Sequence, residues 1–333
     1  MANFIAFDLE GPLSPQDNAC ELMKLFPNGE RIFAAISRYD TLLTEGKKEG
    51  YEPGDTLALI IPFLVLYGVT EADIAGLSAK ATFIAGAENL VHQLQASAWK
   101  VFCITSTYEQ YAVHLTHRLG IYAHRVACTP FPLDKLRRGT SAEERELLQQ
   151  TEREILALSP NDDERLKQTL DGFFGQKLPA TELGSALKEV KLVSGWRKVA
   201  ALKIFTDANE QPLVKWVVVG GNTTDALMLH AVETAGGLAV AFNASENTLP
   251  FATMSLASTS IGDLLEILQI WTKGQRKAAE TVVKMKEITG GKGDRGYFHW
   301  LSGRKDIGAI MEIHQRIRQL VQEEAGKLGK NGV

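Results

Sequence analysis

Cysteine is scarce in this chain of 333 residues, with Cys20, Cys103 and Cys128 standing far apart. Their spacing matches no zinc pattern. Cys103 falls inside an apolar run, so a buried thiol is expected there, and the pattern is that of a reduced, cytoplasmic protein. Excess positive charge is also missing. The 36 Lys and Arg against 40 Asp and Glu give a net charge of −4, which argues against a dedicated nucleic-acid or anionic-membrane binder. No apolar run is long enough for a membrane span: the longest uncharged stretch, Leu57 to Val69, contains Pro62 and reads as a buried helix or lid segment. The opening Met1-Ala2-Asn3-Phe4 has no basic region and soon reaches Asp8 and Glu10, so no signal peptide is expected. His92, His114, His117, His124, His230, His299 and His314 form no cluster with metal spacing and read as structural. Gly290 to Gly296 is rich in glycine but lacks the P-loop pattern and follows no buried strand, so a flexible linker is expected.

What remains is ordinary globular material, 45% apolar and 23% charged, long enough for two domains or one core with large insertions. Three apolar runs without alternation read as strands buried on both faces of a parallel sheet. The first, Asn3 to Phe7, runs into Asp8, then Glu10 and Gly11-Pro12. The second, Trp99 to Ile104, ends in Thr105-Ser106-Thr107. The third, from Lys215, ends in Gly220-Gly221-Asn222-Thr223-Thr224-Asp225. Further strands are expected at Arg125–Cys128 and Leu238–Phe242. Strands alternating with helices imply right-handed crossovers and a doubly wound, Rossmann-like α/β sheet.

Between these runs the signals are helical. Ser14 is expected to cap a helix with Pro15 in its first position. Ile32, Phe33, Ile36 and Tyr39 recur at helical spacing ahead of a charged, glycine-containing loop from Glu45 to Asp55. Thr70 to Asp73 and Ser141 to Glu144 resemble capping boxes, and Ser159-Pro160 is expected to open a helix carrying Leu166, Leu170 and Phe173. The expected organisation is a core over 1–14 and 85–270, a helical cap over 15–84, a second helical insertion over 135–190 and a helical C-terminal extension over 271–333. In that extension Ile307, Ile310, Met311, Ile317 and Val321 share one face. It is expected to lie on the body of the protein, with a homo-oligomer or partner contact through the C-terminal helices as the other outcome.

Carboxylates, hydroxyls and a lysine at strand ends suit phosphoryl transfer: one carboxylate attacks phosphorus, a hydroxyl and an ammonium hold phosphate oxygens, and another carboxylate helps hold Mg²⁺. In this order the motifs resemble the haloacid dehalogenase-like superfamily, mostly Mg²⁺-dependent phosphatases. Asp8-Leu9-Glu10-Gly11 resembles the Asp-x-Glu variant of its first motif, found in phosphoserine phosphatase and homoserine phosphotransferase relatives. The resemblance implies Asp8 as the nucleophile that becomes an aspartyl phosphate and Glu10 as the acid/base. It also implies Thr105, Ser106 and Lys198 as phosphate binders. Asp8, the Glu10 backbone carbonyl and Asp225 would hold Mg²⁺. The stretch Glu10 to Ala19 also resembles a branch of these proteins that in methanogens carry the label of energy-converting hydrogenase subunit R.

One departure stands out. The superfamily's fourth motif is Gly-Asp-x-x-x-Asp, and here its first acid is replaced by Gly221. Water or Asn222 is the candidate to fill the gap, with weaker metal binding expected. Two functions follow: a Mg²⁺-dependent phosphohydrolase or phosphotransferase acting on a small phosphomonoester, or a degenerate relative that binds a ligand or a protein partner without catalysis. Dehalogenase chemistry ranks third, because Lys198, Asp225 and Glu10 together point to phosphate.

Overall fold

The computed structural model describes residues 2–46, 56–159 and 161–330. The first apolar run forms strand β1 (Asn3–Phe7) and the second β2 (Trp99–Tyr108). Next come β3 (Val126–Thr129), β4 (Trp216–Gly220) and β5 (Leu238–Phe242), then β6 (Met254–Ala257) and β7 (Tyr297–Trp300). They make one seven-stranded sheet in the order β3-β2-β1-β4-β5-β6-β7. All neighbours are parallel except β6 and β7. Phe4 pairs with Lys100 on one side and Trp216 on the other. Strands therefore leave β1 in both directions, which places a crevice at its carboxyl end. Ile5 and Phe7 enter one apolar cluster and Phe4 and Ala6 another, so β1 is buried on both faces.

Helices α1 (Asn18–Met23), α2 (Gly29–Glu45), α3 (Thr56–Leu66) and α4 (Glu71–Lys80) follow β1. Helix α5 (Ala87–Ala96) precedes β2, and α6 (Glu109–Arg118) joins β2 to β3. Between β3 and β4 lie α7 (Leu133–Gly139), α8 (Ala142–Ala157), α9 (Asp163–Gly172), α10 (Glu182–Leu187) and α11 (Gly195–Ala208). Helix α12 (Ala226–Thr234) joins β4 to β5. Helices α13 (Leu265–Thr289) and α14 (Gly308–Lys330) flank β7.

Leu148 and Ile155 of α8, with Leu166 and Leu170 of α9, share an apolar cluster with Ile32, Ile36 and Tyr39 of α2. Arg38 grips Asp163 through bonds of 2.9 and 2.5 Å, and Tyr39 donates to Asp171 at 2.8 Å. Two helical stretches about a hundred residues apart thus pack on one another. The Tyr108 hydroxyl donates to the Leu57 carbonyl, tying α3 to the end of β2. Among the described residues no single helix is long and apolar enough to cross a membrane, and the α3–α4 pair, which passes together by composition, is bent by 118°.

The local signals at Thr70/Asp73 and Ser141/Glu144 form both reciprocal capping bonds. Others read differently. Asp17, not Ser14, caps α1, accepting from Cys20 N at 3.0 Å. Ser14 lies earlier because its carbonyl closes the Gly11 turn at 2.8 Å. Helix α9 opens after Asp162, whose side chain accepts from Arg165 N; Pro160 lies outside the described residues, as do 47–55 of the charged loop. The C-terminal stretch is not wholly helical, since β7 adds an antiparallel edge. The glycine-rich segment before it is anchored: Asp294 accepts from Thr259 N and Oγ1 at 3.0 and 3.1 Å, and Arg295 pairs with Asp263. Helix α14 buries Ile310 and Ile317 against the body, with His314 Nδ1 accepting from Ala244 N at 2.8 Å.

Candidate active site

Asp8 lies one residue past β1, buried, its N–H donating to Val219 O at 2.8 Å. Its Oδ1 accepts from Leu9 N at 2.8 Å and lies 3.1 Å from Lys198 Nζ. Lys198, near the start of α11, is fully buried and donates to Asp225 Oδ1 at 2.6 Å. The other Asp225 oxygen accepts from Gly221 N at 2.8 Å and Asn222 N at 2.9 Å. One ammonium thus serves two carboxylates away from water. Burial, with Asp225 adding to it, pushes the Asp8 carboxyl up to about 7 against the pull of Lys198. Burial works to lower Lys198, but Asp225 and Asp8 win and hold its ammonium above the usual range.

Two glycines at the end of β4 permit this cluster. A Cβ on Gly220 would stand 2.6 Å from Asp225 Cγ, so only glycine lets that carboxylate fold back over the strand end. A Cβ on Gly221 would stand 2.3 Å from the Phe242 carbonyl oxygen. The backbone has closed against β5 where the superfamily motif carries its acid.

Glu10 sits above Asp8 on a turn that needs the left-handed φ of +99° at Gly11. Its Oε1 accepts from Asn18 N at 3.0 Å and from the Thr107 hydroxyl at 3.2 Å. Burial, then Asp17 and Asp8, push the Glu10 carboxyl up to about 8. The Asn18 carboxamide beside it is fully buried, and neither its oxygen nor its nitrogen has a protein partner. The Glu10 carbonyl accepts from Asn222 Nδ2 at 2.9 Å, and Asn222 Oδ1 accepts from Arg318 at 2.9 Å.

A cleft of about 630 Å³ opens here, with Glu10, Asp17, Ser106, Asn222 and Arg318 on its wall. Asp8, Thr105, Lys198 and Asp225 are not on that wall. Thr105 is buried, its hydroxyl bonding Thr107 at 2.9 Å, so of the hydroxyls expected to meet phosphate it is Ser106 that reaches the cleft. Three residues of this neighbourhood were not among those expected in it: Thr107, Asn18 and Arg318. The alternation of β2 was a usable signal for Thr107, since residues two apart share a face. No spacing links Arg318 to residues almost a hundred positions earlier.

The donors present do not fit the superfamily's Mg²⁺ site. Magnesium wants oxygen ligands in near-octahedral order. Here Asn222 takes the Glu10 carbonyl, Lys198 and two backbone amides take Asp225, and position 221 has no room for an acid. Among the described residues no group of three or more His, Cys, Asp or Glu is placed to hold a metal ion.

A parallel sheet with β1 between β2 and β4, and Asp8, Lys198 and Asp225 gathered at the carboxyl end of that central strand, defines the class: a doubly wound α/β fold with a buried charge cluster at its switch point. No family model and no curated protein matches the chain. Among solved structures it is similar to gene product AF1437 from Archaeoglobus fulgidus, at 26% identity and a TM-score of 0.84 over 98% of each chain. More distant is a phosphoserine phosphatase in a phospho-aspartyl intermediate analogue form (15% identity, TM-score 0.48, 80% of this chain and 98% of that one). A HAD family hydrolase from Salmonella enterica serovar Typhi stands at 14% and 0.47, over 74% of this chain and 64% of that one.

Proposed function

We propose that this protein takes the phosphate of a small phosphomonoester over Asp8 and transfers the phosphoryl group to that carboxylate, for hydrolysis or onward transfer. One observation carries the reading: a buried nucleophile candidate paired to Lys198, with a second carboxyl, of Glu10, two residues on at the wall of the cleft. In the first step Asp8 Oδ attacks phosphorus, the ester P–O bond breaks, and Glu10 gives its proton to the leaving oxygen. A Glu10 carboxyl raised to about 8 holds that proton at neutral pH. In the second step Glu10, now ionised, takes a proton from water; the water attacks phosphorus, phosphate leaves and Asp8 is regenerated. Lys198 and Ser106 hold phosphate oxygens, and Thr105 positions Thr107 against Glu10. The helical stretches 15–84 and 135–190 act as caps that must part for substrate to reach Asp8, on a core of 1–14 and 85–270. The superfamily's chemistry supplies a dication to neutralise phosphate; Asp8, the Glu10 carbonyl, Asp225 and Asn222 are the residues from which such a site would have to be made. Three free thiols, Cys20, Cys103 and Cys128, fit a reducing compartment.

A second reading is a ligand-binding relative without turnover. The closed backbone at Gly221 and the position of Asp8 off the cleft wall favour it. Phosphate release from an aryl phosphate, measured with Mg²⁺ and separately in chelator, tests the first reading against an Asp8→Asn control. Release by the natural chain and not by the variant is expected; equal background rates from both remove turnover of that substrate class and leave binding.

A further inference from the structure

The wall of the cleft carries carboxylates at Glu10, Asp17, Asp40, Glu45 and Glu246 and, among the described residues, a single cation, Arg318, on which any anion entering the cleft would have to rely. Its guanidinium is half-buried and has one hydrogen bond among the described residues, to Asn222 Oδ1 at 2.9 Å. Guanidinium carries five N–H donors in a planar fork suited to phosphate oxygens, so most of the fork is left for a ligand. Through Asn222, the same side chain is linked to the Glu10 carbonyl at 2.9 Å, one of the atoms that would otherwise face a metal. Helix α14 fixes this placement. Ile317 beside Arg318 is fully buried, and His314 one turn earlier holds Ala244 N at 2.8 Å. Opposite, the backbone at Gly221 has shut the place where a metal-binding acid would stand.

We infer that Arg318, delivered by the C-terminal helix and oriented by Asn222, takes over the role of the dication: the cleft receives the oxyanion of a phosphate ester on a guanidinium, without metal. The inference rests on the phosphate reading above and adds where the compensating charge comes from. A guanidinium cannot be chelated away, so the site keeps its anion affinity in chelator. Asn222 serves as a positioning residue, because its amide faces both Glu10 and Arg318.

The test is calorimetric titration of inorganic phosphate into the full chain, once in chelator and once in millimolar MgCl₂. Saturable binding in chelator is expected, changed by less than about twofold by Mg²⁺, while Arg318→Gln weakens it at least about tenfold. Arg318→Lys, which keeps the charge but not the fork, is expected to fall between the two. Circular dichroism of both variants checks that α14 still docks. Titrating MgCl₂ alone is expected to show no saturable site. Phosphate binding that requires Mg²⁺, or an Arg318→Gln chain that binds as well as the natural one, overturns the inference and leaves the phosphate reading standing. A saturable Mg²⁺ site that Asp8→Asn abolishes does the same. Absence of phosphate binding under every condition overturns the phosphate reading, and the inference falls with it.

Discussion

The inner and outer halves of the site follow different rules. The inner half, Asp8, Lys198 and Asp225, is set by strand ends and the first turns of helices next to them, and its charges are paired out of water. The outer half, Glu10, Gly221, Asn222 and Arg318, is assembled across more than three hundred positions of chain and lines the cleft. The difference shows that one site can keep a closed charge cluster in its depth while its mouth is assembled from distant parts of the chain. Depth resists change because a buried charge that loses its partner is costly, whereas a half-buried mouth can exchange one cation for another.

Substitutions in the two halves separate them, taken in falling order of expected effect. Lys198→Met strands two buried carboxylates, so equilibrium denaturation is expected to show a loss of about 3–5 kcal/mol. A loss under about 1 kcal/mol, typical of surface pairs, means that the inner cluster is open to water. Gly221→Ala places a methyl 2.3 Å from the Phe242 carbonyl and is expected to cost roughly 1–3 kcal/mol. For the same reason Gly221→Asp is expected to destabilise without creating a saturable Mg²⁺ site in calorimetry. A gain of Mg²⁺ binding there means that the strand end yields more easily than its geometry implies.

The smallest effect concerns the docking of α14. Burial, with His299 adding, pushes His314 from 6.5 down to about 3, so the folded protein keeps it neutral. The unfolded chain binds the extra proton below 6.5, so this histidine's contribution is whole above that pH and is lost as pH falls toward 3. Asp8 and Glu10 act with the opposite sign, because their raised folded values favour the protonated, folded state as pH drops. The informative quantity is therefore a difference. Between pH 7 and 5.5 the natural chain is expected to lose about 1 kcal/mol more than His314→Leu does. Parallel pH curves for the two chains mean that His314 is not held neutral.

Much of the inner half could be read in the sequence, because a buried strand ending in Asp, or in Thr and Ser, leaves a local mark. The same holds for the sheet: continuous apolar runs gave β1, β2, β4 and β5. Strands β6 and β7 leave no such mark: each is only four residues long, and β7 alternates half-buried with buried residues rather than forming a continuous apolar run. At the start of α1, Ser14 and Asp17 are both good capping residues, and the sequence alone points to the earlier of the two. What decides between them is the Gly11–Ser14 turn, a contact that appears only once the chain has folded. Gly221 announced a missing acid but not that the backbone has closed behind it. Arg318 lay on a helix whose visible signal was its apolar face; that signal explains why the helix docks and says nothing of which polar residue reaches the cleft.

If the outer half works through a guanidinium, the affinity of the full chain for inorganic phosphate in chelator reports it most directly. Saturable binding there, lost on Arg318→Gln, is the predicted result. Binding that appears only when Mg²⁺ is restored contradicts it.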